Sequence, residues 1–337
     1  MSRRVAVTGG TGFIGRHIAK KLQQAGYEVR ILSRRAPTDT GLRDTEISTV
    51  DWRDPATVRR GIAGANIVIH AAAVHPLRTA GNAANIVKEN VGITKTLLES
   101  IQTVDRFVLI SSMRSLVNAN SQNGHFDERT HYDFQRSDSP YGYSKYLAEE
   151  LCLRYWRQRG LPVVVCNPCS VIGPDDTGLS PNGQDILNFT KRHWNFVMDT
   201  NFAFVDVRDV ADGVELILRK EKVGEKYLLC AANWSMEKYV RTILEAAGRQ
   251  SQIHVVAMPL ATVIALSGEM VKRLSPSAAV PAVMSSIRFA KLRPIFNGSK
   301  IARLGLMYRD PHQTIQDTVD WMKRHRLLQM AARESHP

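Results

Sequence analysis

Cysteine is scarce in this chain of 337 residues. The four cysteines lack the spacing of a disulfide framework: Cys152, Cys166, Cys169 and Cys230. Cys166 and Cys169 form a C-x-x-C, but no second pair and no nearby histidines complete a zinc site. We therefore predict packing or loop thiols and no metal site. A reducing compartment fits this pattern, and we expect the cytoplasm.

Long hydrophobic runs are also absent. The longest, VVAMPLATVIALSG at residues 255–268, contains Pro259 and is shorter than a membrane span requires. The first residues, MSRR, lead directly into a short apolar strand, so we expect no secretory signal peptide. The sequence predicts no transmembrane segment, and it favours a core or pocket-lining helix at 255–268.

The net charge of +13 is not concentrated in one segment. Basic residues are scattered in pairs and short clusters, without the interleaved aromatic residues that a nucleic-acid surface might show. We therefore predict no nucleic-acid partner. With 44% hydrophobic residues and no repeat of fixed period, the chain can bury a sizeable core in one large domain or two smaller ones.

Glycine is concentrated near the amino terminus. Residues 5–26, VAVTGGTGFIGRHIAKKLQQAG, have the pattern of a buried strand, a glycine turn and an amphipathic helix. Two glycine registers fit, Gly9-x-x-Gly12-x-x-Gly15 and Gly10-x-Gly12-x-x-Gly15, and either lets a pyrophosphate rest on the helix N-terminus. We predict a dinucleotide-binding turn, with cofactor contacts at Gly9, Thr11, Gly12, Phe13, Ile14 and Gly15.

The end of the second strand indicates which dinucleotide is bound. The chain there has the sequence ILSRR, with Ser33 where an NAD site would place an acidic residue for the ribose hydroxyl. Arg34 and Arg35 can bind a 2′-phosphate in bidentate geometry. We therefore predict NADP (NADPH) as cofactor, with NAD less favoured. The alternative is that both arginines are simply exposed loop residues.

The segment PYGYSKYLAEE at residues 140–150 places a phenol and an ammonium four residues apart. Pro140 and Gly160 predict the limits of a helix on which Tyr141 and Lys145 share one face. We expect the ammonium to lower the pKa of the phenol and suit it to general acid–base catalysis. Tyr143 is a rival phenol, but it is two residues from Lys145 and is expected to point elsewhere.

Taken together, these motifs resemble those of the extended short-chain dehydrogenase/reductases, also called the NAD-dependent epimerase/dehydratase family, over nearly the whole chain. Other stretches that resemble family motifs are DWRD (51–54), VIHAAA (68–73), NVGIT (90–94), FVLISS (107–112) and NPCSVIGP (167–174). The resemblance implies that Ser112 is a second hydrogen-bond donor to the substrate oxygen and that Tyr141 and Lys145 are catalytic. It implies cofactor contacts at Asp51, Trp52, Ala71, Ala72, Ala73, Asn90, Ser111, Tyr141, Lys145, Pro168 and Ser170. Ser111 is also expected to face the core side of its strand.

Alternating strands and helices predict an α/β fold. It is a Rossmann doubly wound parallel sheet with a smaller, discontinuous C-terminal substrate domain. We predict a dinucleotide-binding domain at 1–170, with segments around 202–230 returning to it. Residues 171–201 and 231–330 would form mainly the substrate-binding part. The resemblance also implies a possible homodimer through helices at 84–102 and 143–158.

The resemblance favours an NADP(H)-dependent oxidoreductase near the dihydroflavonol reductase and 3β-hydroxysteroid dehydrogenase branch. Such an enzyme would reduce a ketone or aldehyde of a small metabolite, or oxidise the alcohol. The apolar 255–287 region suggests that this metabolite is hydrophobic. One alternative is a nucleotide-sugar epimerase that uses bound NAD, and a second is a non-catalytic nucleotide-binding scaffold. His75 is a further candidate to line the substrate pocket, and Arg114 is a candidate to contact an anionic group of the substrate; the alternative for each is no role in the site.

Overall fold

The computed structural model describes residues 3–35, 42, 45–74, 83–117, 124–130, 139–220, 222–274 and 284–328. His75 lies outside these ranges. Fourteen strands occur in the described part of the chain: β1 (Arg4–Thr8), β2 (Glu28–Ser33), β3 (Glu46–Thr49), β4 (Ile67–His70), β5 (Arg106–Ile110), β6 (His125–Phe126), β7 (Val163–Pro168), β8 (Ser170–Ile172), β9 (Trp194–Met198), β10 (Asn201–Asp206), β11 (Lys226–Leu229), β12 (Ala232–Ser235), β13 (Gln252–Val256) and β14 (Ile295–Phe296).

Several of the described helices begin after a side chain that caps them. Ser139 accepts a hydrogen bond from the Gly142 N–H and precedes Pro140, which opens a helix that closes at Gly160 in the left-handed conformation. The limits predicted for this helix are confirmed. The described helices are α1 (Phe13–Gln24), α2 (Pro55–Ile62), α3 (Ala83–Ser100), α4 (Pro140–Arg159), α5 (Pro181–Lys191), α6 (Val207–Lys220), α7 (Met236–Ala247), α8 (Met258–Leu274), α9 (Met284–Lys291), α10 (Ser299–Arg303) and α11 (Pro311–Arg324).

Seven parallel strands form the central sheet, in the order β3-β2-β1-β4-β5-β7-β11. Helices α1 and α6 pack on one face, and α2, α3 and α4 pack on the other. The predicted doubly wound Rossmann architecture is therefore confirmed. The strand order reverses between β1 and β4, because β2 and β3 extend the sheet on one side of β1 and the later strands extend it on the other. In such sheets ligands bind at the carboxyl ends of the strands beside this point.

The later chain builds smaller sheets around a second core. Strands β12, β10 and β8 form one sheet, and β13 pairs with β9. Their core contains side chains of α5, α7 and α11. No helix in the described ranges is both long and apolar enough to cross a bilayer.

One detail of the predicted segment 202–230 is wrong. Only α6 and β11 return to the central sheet; β10 pairs instead with β8 and β12. The physical reason is the break at Cys169, which separates β7 from β8. The edge of β7 is occupied by β11, and β10 extends the sheet that starts at β8. The assignment of the two parts to cofactor and substrate stays a prediction.

Candidate active site

The glycine turn joins β1 to α1 with very little space around its backbone. Gly9 has a φ of +68°, and a Cβ there would lie 2.7 Å from the Ala72 nitrogen. A Cβ on Gly15 would collide with the Gly9 carbonyl oxygen. Because side chains are excluded, backbone N–H groups at the start of α1 remain accessible to an anion. Thr11 and Gly12 are exposed, and Phe13 and Ile14 are half-buried at this turn. The turn therefore fits the pyrophosphate of a dinucleotide.

The end of β4 lies next to this turn. The Ala72 N–H donates to the Thr8 hydroxyl at 3.1 Å, which fixes the chain leaving β4 against β1. Ala71 and Ala72 are half-buried and Ala73 is exposed. These three residues thus border the glycine turn at the point where the strand order of the sheet reverses.

The end of β2 carries the residues predicted to select the cofactor. Ser33 is half-buried, and Arg34 and Arg35 are exposed beside it. Asp51 is exposed, but one of its carboxylate oxygens already accepts from the Arg53 N–H at 2.9 Å.

Trp52 is mostly buried. Its side chain is 8% exposed and packs in the core beneath the sheet. Because the indole is largely enclosed by apolar neighbours, core packing accounts for it. A contact with adenine stays a prediction, and it could involve only the small exposed part of the ring.

The acid–base candidates meet at the carboxyl end of β5. The Tyr141 side chain is hydrogen-bonded to Ser112, which follows β5 directly. Ser112 also accepts from the Arg114 N–H at 3.2 Å and thereby opens a short 3₁₀ turn. Tyr143 instead stacks on Tyr146 with ring centroids 6.5 Å apart. The structure therefore brings together the phenol and the serine that the sequence paired.

Lys145 lies on the same face of α4 as Tyr141. Its Nζ donates to the Ile110 carbonyl at 2.9 Å and lies 6.0 Å from the centroid of the Tyr141 ring. The side chain is 5% exposed. Burial lowers the pKa of Lys145 to about 8, and the Glu149 carboxylate acts against this decrease.

The expected effect on the phenol is wrong for the protein without cofactor. Burial raises the pKa of Tyr141 to about 12, while the hydrogen bond to Ser112 and the charge of Arg114 act in the lowering direction. Tyr141 therefore holds its proton at neutral pH.

Sequence reasoning missed a buried carboxylate beside these groups. Glu149 has no exposed surface and accepts a hydrogen bond from the Asn167 amide at 2.6 Å and from the Ser111 hydroxyl at 2.5 Å. The expected core-facing direction of Ser111 is confirmed, but its hydroxyl is engaged by Glu149, and a cofactor contact from it stays a prediction. The available signal was spacing, since Tyr141, Lys145 and Glu149 follow one another at intervals of four on α4.

A second polar network connects β4 to α4. The Thr94 hydroxyl donates to the Asn90 carbonyl and accepts from the Nε2–H of His70, whose Nδ1 accepts from the hydroxyl of Thr8. Burial lowers the pKa of His70 to about 3, so the imidazole is neutral. The Asn90 side chain in turn donates to the Ser144 hydroxyl at 3.0 Å. Asn90 thus braces the start of α4, and its contact with a cofactor stays a prediction.

The chain after β7 completes the edge of the site. Pro168 is buried at the end of β7, and Ser170 is half-buried at the start of β8. Between them, Cys169 is hydrogen-bonded to Cys230 and not to Cys166. All four cysteines are buried and free. Among the described residues, no group of three His, Cys, Asp or Glu could hold a metal ion.

Arg114 faces the later chain. Its guanidinium carbon lies 3.9 Å from the centroid of the Phe289 ring on α9, within the range of a cation–π contact. Since Arg114 also acts on the pKa of Tyr141, α9 approaches the acid–base residues from the side of the later chain. Sequence patterns did not reveal this contact of Arg114 with Phe289.

Comparisons with known proteins agree with this geometry. Residues 5–230 match the model of the NAD dependent epimerase/dehydratase family. A Synechocystis protein named "Putative dihydroflavonol 4-reductase" is 29% identical over 95% of this chain and 94% of its own length. A Stigmatella aurantiaca 4-hydroxy-2-methyl-3-oxo-4-farnesyl-3,4-dihydroquinoline-1-oxide ketoreductase is 27% identical over 92% of this chain and 93% of its own.

Among solved structures, the crystal structure of gox2253 superposes with a TM-score of 0.84 at 26% identity and covers 96% of this chain and 99% of that one. The family match spans the glycine turn, the acid–base residues and the β7 segment. The chain therefore belongs to the NAD dependent epimerase/dehydratase family, the extended short-chain dehydrogenase/reductases, and is an NAD(P)-dependent oxidoreductase.

Proposed function

We propose that this enzyme uses NADPH to reduce a ketone or aldehyde, with Tyr141 as the general acid. The observation that carries the proposal is the hydrogen bond between the Tyr141 and Ser112 side chains at the carboxyl end of β5. A phenol whose pKa is about 12 donates its proton only to a strongly basic partner, such as the oxygen of a carbonyl that is being reduced.

The residues of the chain supply the positioning and the proton. The Ser112 and Tyr141 hydroxyls are close enough to bond each other, so both can donate to one substrate oxygen placed between them. The bound cofactor supplies the hydride that reduces the carbonyl carbon. As charge develops on the oxygen, the Tyr141 proton passes to it. In this proposal the Lys145 ammonium, whose Nζ lies 6.0 Å from the centroid of the Tyr141 ring, then stabilises the phenolate that remains, and alcohol oxidation is the reverse sequence.

The choice of NADP over NAD is supported by the end of β2. Two exposed guanidinium groups, Arg34 and Arg35, follow Ser33, and this position carries no carboxylate that would repel a 2′-phosphate. The other proposed cofactor contacts are the glycine turn, the Ala71–Ala73 segment and the residues around Pro168, which lie along the carboxyl ends of β1, β4 and β7.

A hydrophobic substrate is supported by two features. Phe289 presents a half-buried aromatic ring beside Arg114, next to the acid–base pair. The relatives named above are a dihydroflavonol reductase and a ketoreductase of a farnesylated quinoline.

Helices α3 and α4 pack side by side, and their outer faces are the proposed homodimer surface.

The test is a pair of cofactor titrations followed by a substrate screen. NADPH should bind at least about tenfold more tightly than NADH, because one bidentate arginine–phosphate contact alone accounts for this difference. A panel of hydrophobic ketones and aldehydes should then be reduced by wild type and not by Tyr141→Phe, which retains cofactor binding. NAD released from the purified protein on denaturation, with no carbonyl reduction, would instead favour the epimerase alternative.

A further inference from the structure

A fully buried carboxylate lies directly behind the acid–base residues. Glu149 is four residues after Lys145 on α4, and its side chain has no exposed surface. Burying a lone carboxylate is strongly unfavourable, so a buried one must be compensated by donors and opposite charge. The donors around Glu149 show which parts of the site it holds together.

Four donors from separate segments converge on this carboxylate. Oε1 accepts from the Ser111 hydroxyl at 2.5 Å, the Asn167 amide at 2.6 Å and the Ser115 hydroxyl. Oε2 accepts from the Lys226 Nζ at 2.7 Å. One helix residue is thus connected to the end of β5, the following 3₁₀ turn, β7 and β11.

One of these donors also holds Ser112. The two N–H groups of the Asn167 amide can donate at the same time to Glu149 Oε1 at 2.6 Å and to the Ser112 carbonyl oxygen at 3.2 Å. The Ser115 hydroxyl has a single proton, so it donates either to Glu149 or to the Ser112 carbonyl oxygen, which lies 2.6 Å away. The backbone that presents the Ser112 hydroxyl to Tyr141 is therefore anchored, through one intermediate residue, to Glu149.

Glu149 follows Lys145 by four residues on α4, on the same helix face, and its charge acts to raise the pKa of this lysine. The other titratable groups around this lysine are Tyr141, the neutral His70 of β4, and Cys152, whose thiol is kept protonated because burial raises its pKa. Lys226 competes for the carboxylate at Oε2. Glu149 therefore contributes the carboxyl group among these neighbours.

We propose that Glu149 is a positioning residue of the reaction, which anchors the Ser112 backbone and supplies the counter-charge of Lys145. It touches neither substrate nor cofactor in this assignment. The proposal rests on the proposed reductase function, because its kinetic consequences are read in that reaction. Its electrostatic consequence can be measured without any activity.

The kinetic test compares Glu149→Gln with Glu150→Gln, a neighbour on the same helix whose side chain is 38% exposed. In Glu149→Gln, kcat should fall at least about tenfold, while KM should change less than about threefold. The alkaline limb of the rate profile, where Lys145 loses its proton, should move down by roughly one pH unit. Glu149→Asp retains the charge and should leave that limb in place while lowering kcat. Glu150→Gln should match wild type. An alkaline limb that does not move in Glu149→Gln would overturn the proposal.

Lys226→Met gives a test in the opposite direction. This change keeps the carboxylate and removes the cation that competes for it, so the alkaline limb should move to higher pH. It also serves if Glu149→Gln does not fold. A limb that stays in place or moves to lower pH in Lys226→Met contradicts the proposal.

A double-mutant cycle on stability separates this proposal from the reductase assignment. Lys145→Met should stabilise the protein more in the Glu149→Gln background than in wild type at pH 7, because the buried ammonium has then lost its counter-charge. Equal effects in the two backgrounds would overturn the role of Glu149 even in an active enzyme. The expected coupling in a protein without reductase activity would support Glu149 as the counter-charge and overturn only the reductase function.

Discussion

Replacing Lys145 with methionine should change the pH dependence of folding stability in a predictable way. The ammonium is 5% exposed, and burial lowers its pKa from the ordinary 10.5 to about 8. The folded state therefore disfavours the charged form relative to the unfolded state. Because methionine carries no charge, the substitution removes this cost while keeping a side chain of similar length.

The magnitude follows from the two pKa values. Each pKa unit corresponds to about 1.4 kcal/mol, so the lowered pKa represents a cost of roughly 3 kcal/mol. This cost is present in full below about pH 8 and disappears as pH rises towards 10.5, because the lysine is then neutral in both states. The substitution also leaves the Ile110 carbonyl without its 2.9 Å donor, which costs roughly 1–3 kcal/mol at every pH.

The assay is urea unfolding of wild type, Lys145→Met and Lys95→Met at pH 7 and pH 10. Lys95 is a matched control, since its side chain is 61% exposed. Relative to wild type, the unfolding free energy of Lys145→Met should be lower at pH 10 than at pH 7 by roughly 2–3 kcal/mol. The control should change little. The same difference at both pH values would refute the reasoning, whatever its size.

Three further outcomes are expected. Gly15→Ala should weaken cofactor binding and destabilise the fold, because its Cβ would collide with the Gly9 carbonyl. The control is Gly92→Ala in α3, where a Cβ meets open space, and it should stabilise the protein by up to about 1 kcal/mol in thermal unfolding. Arg34→Ala and Arg35→Ala should each weaken NADPH binding by roughly tenfold and leave NADH binding unchanged, as titrations would show; equal losses for both cofactors would contradict the 2′-phosphate assignment. Ser112→Ala should lower kcat by roughly 10²-fold with cofactor affinity retained; an unchanged kcat would remove Ser112 from the site.

Several features of the site could be predicted because they depend on local spacing. The glycine turn needs only a strand, glycines at fixed intervals and a helix start, all within residues 5–26. The helix of Tyr141 and Lys145 has its capping serine, its proline and its closing glycine in one segment. A face of a helix follows directly from intervals of four residues. The family and the doubly wound sheet rest on such local patterns repeated along the chain.

Other features depended on contacts between distant segments. The four donors to Glu149 come from parts of the chain up to 77 residues away, and their convergence has no signature in local spacing. The pKa values of Tyr141 and Lys145 are governed by burial, which only packing determines. The pairing of β10 with β8 and the burial of Trp52 are likewise results of packing. The sequence by itself determined which groups are available and which helix carries them. Only the tertiary structure decided what surrounds them, because desolvation and hydrogen-bond partners are properties of the assembled core.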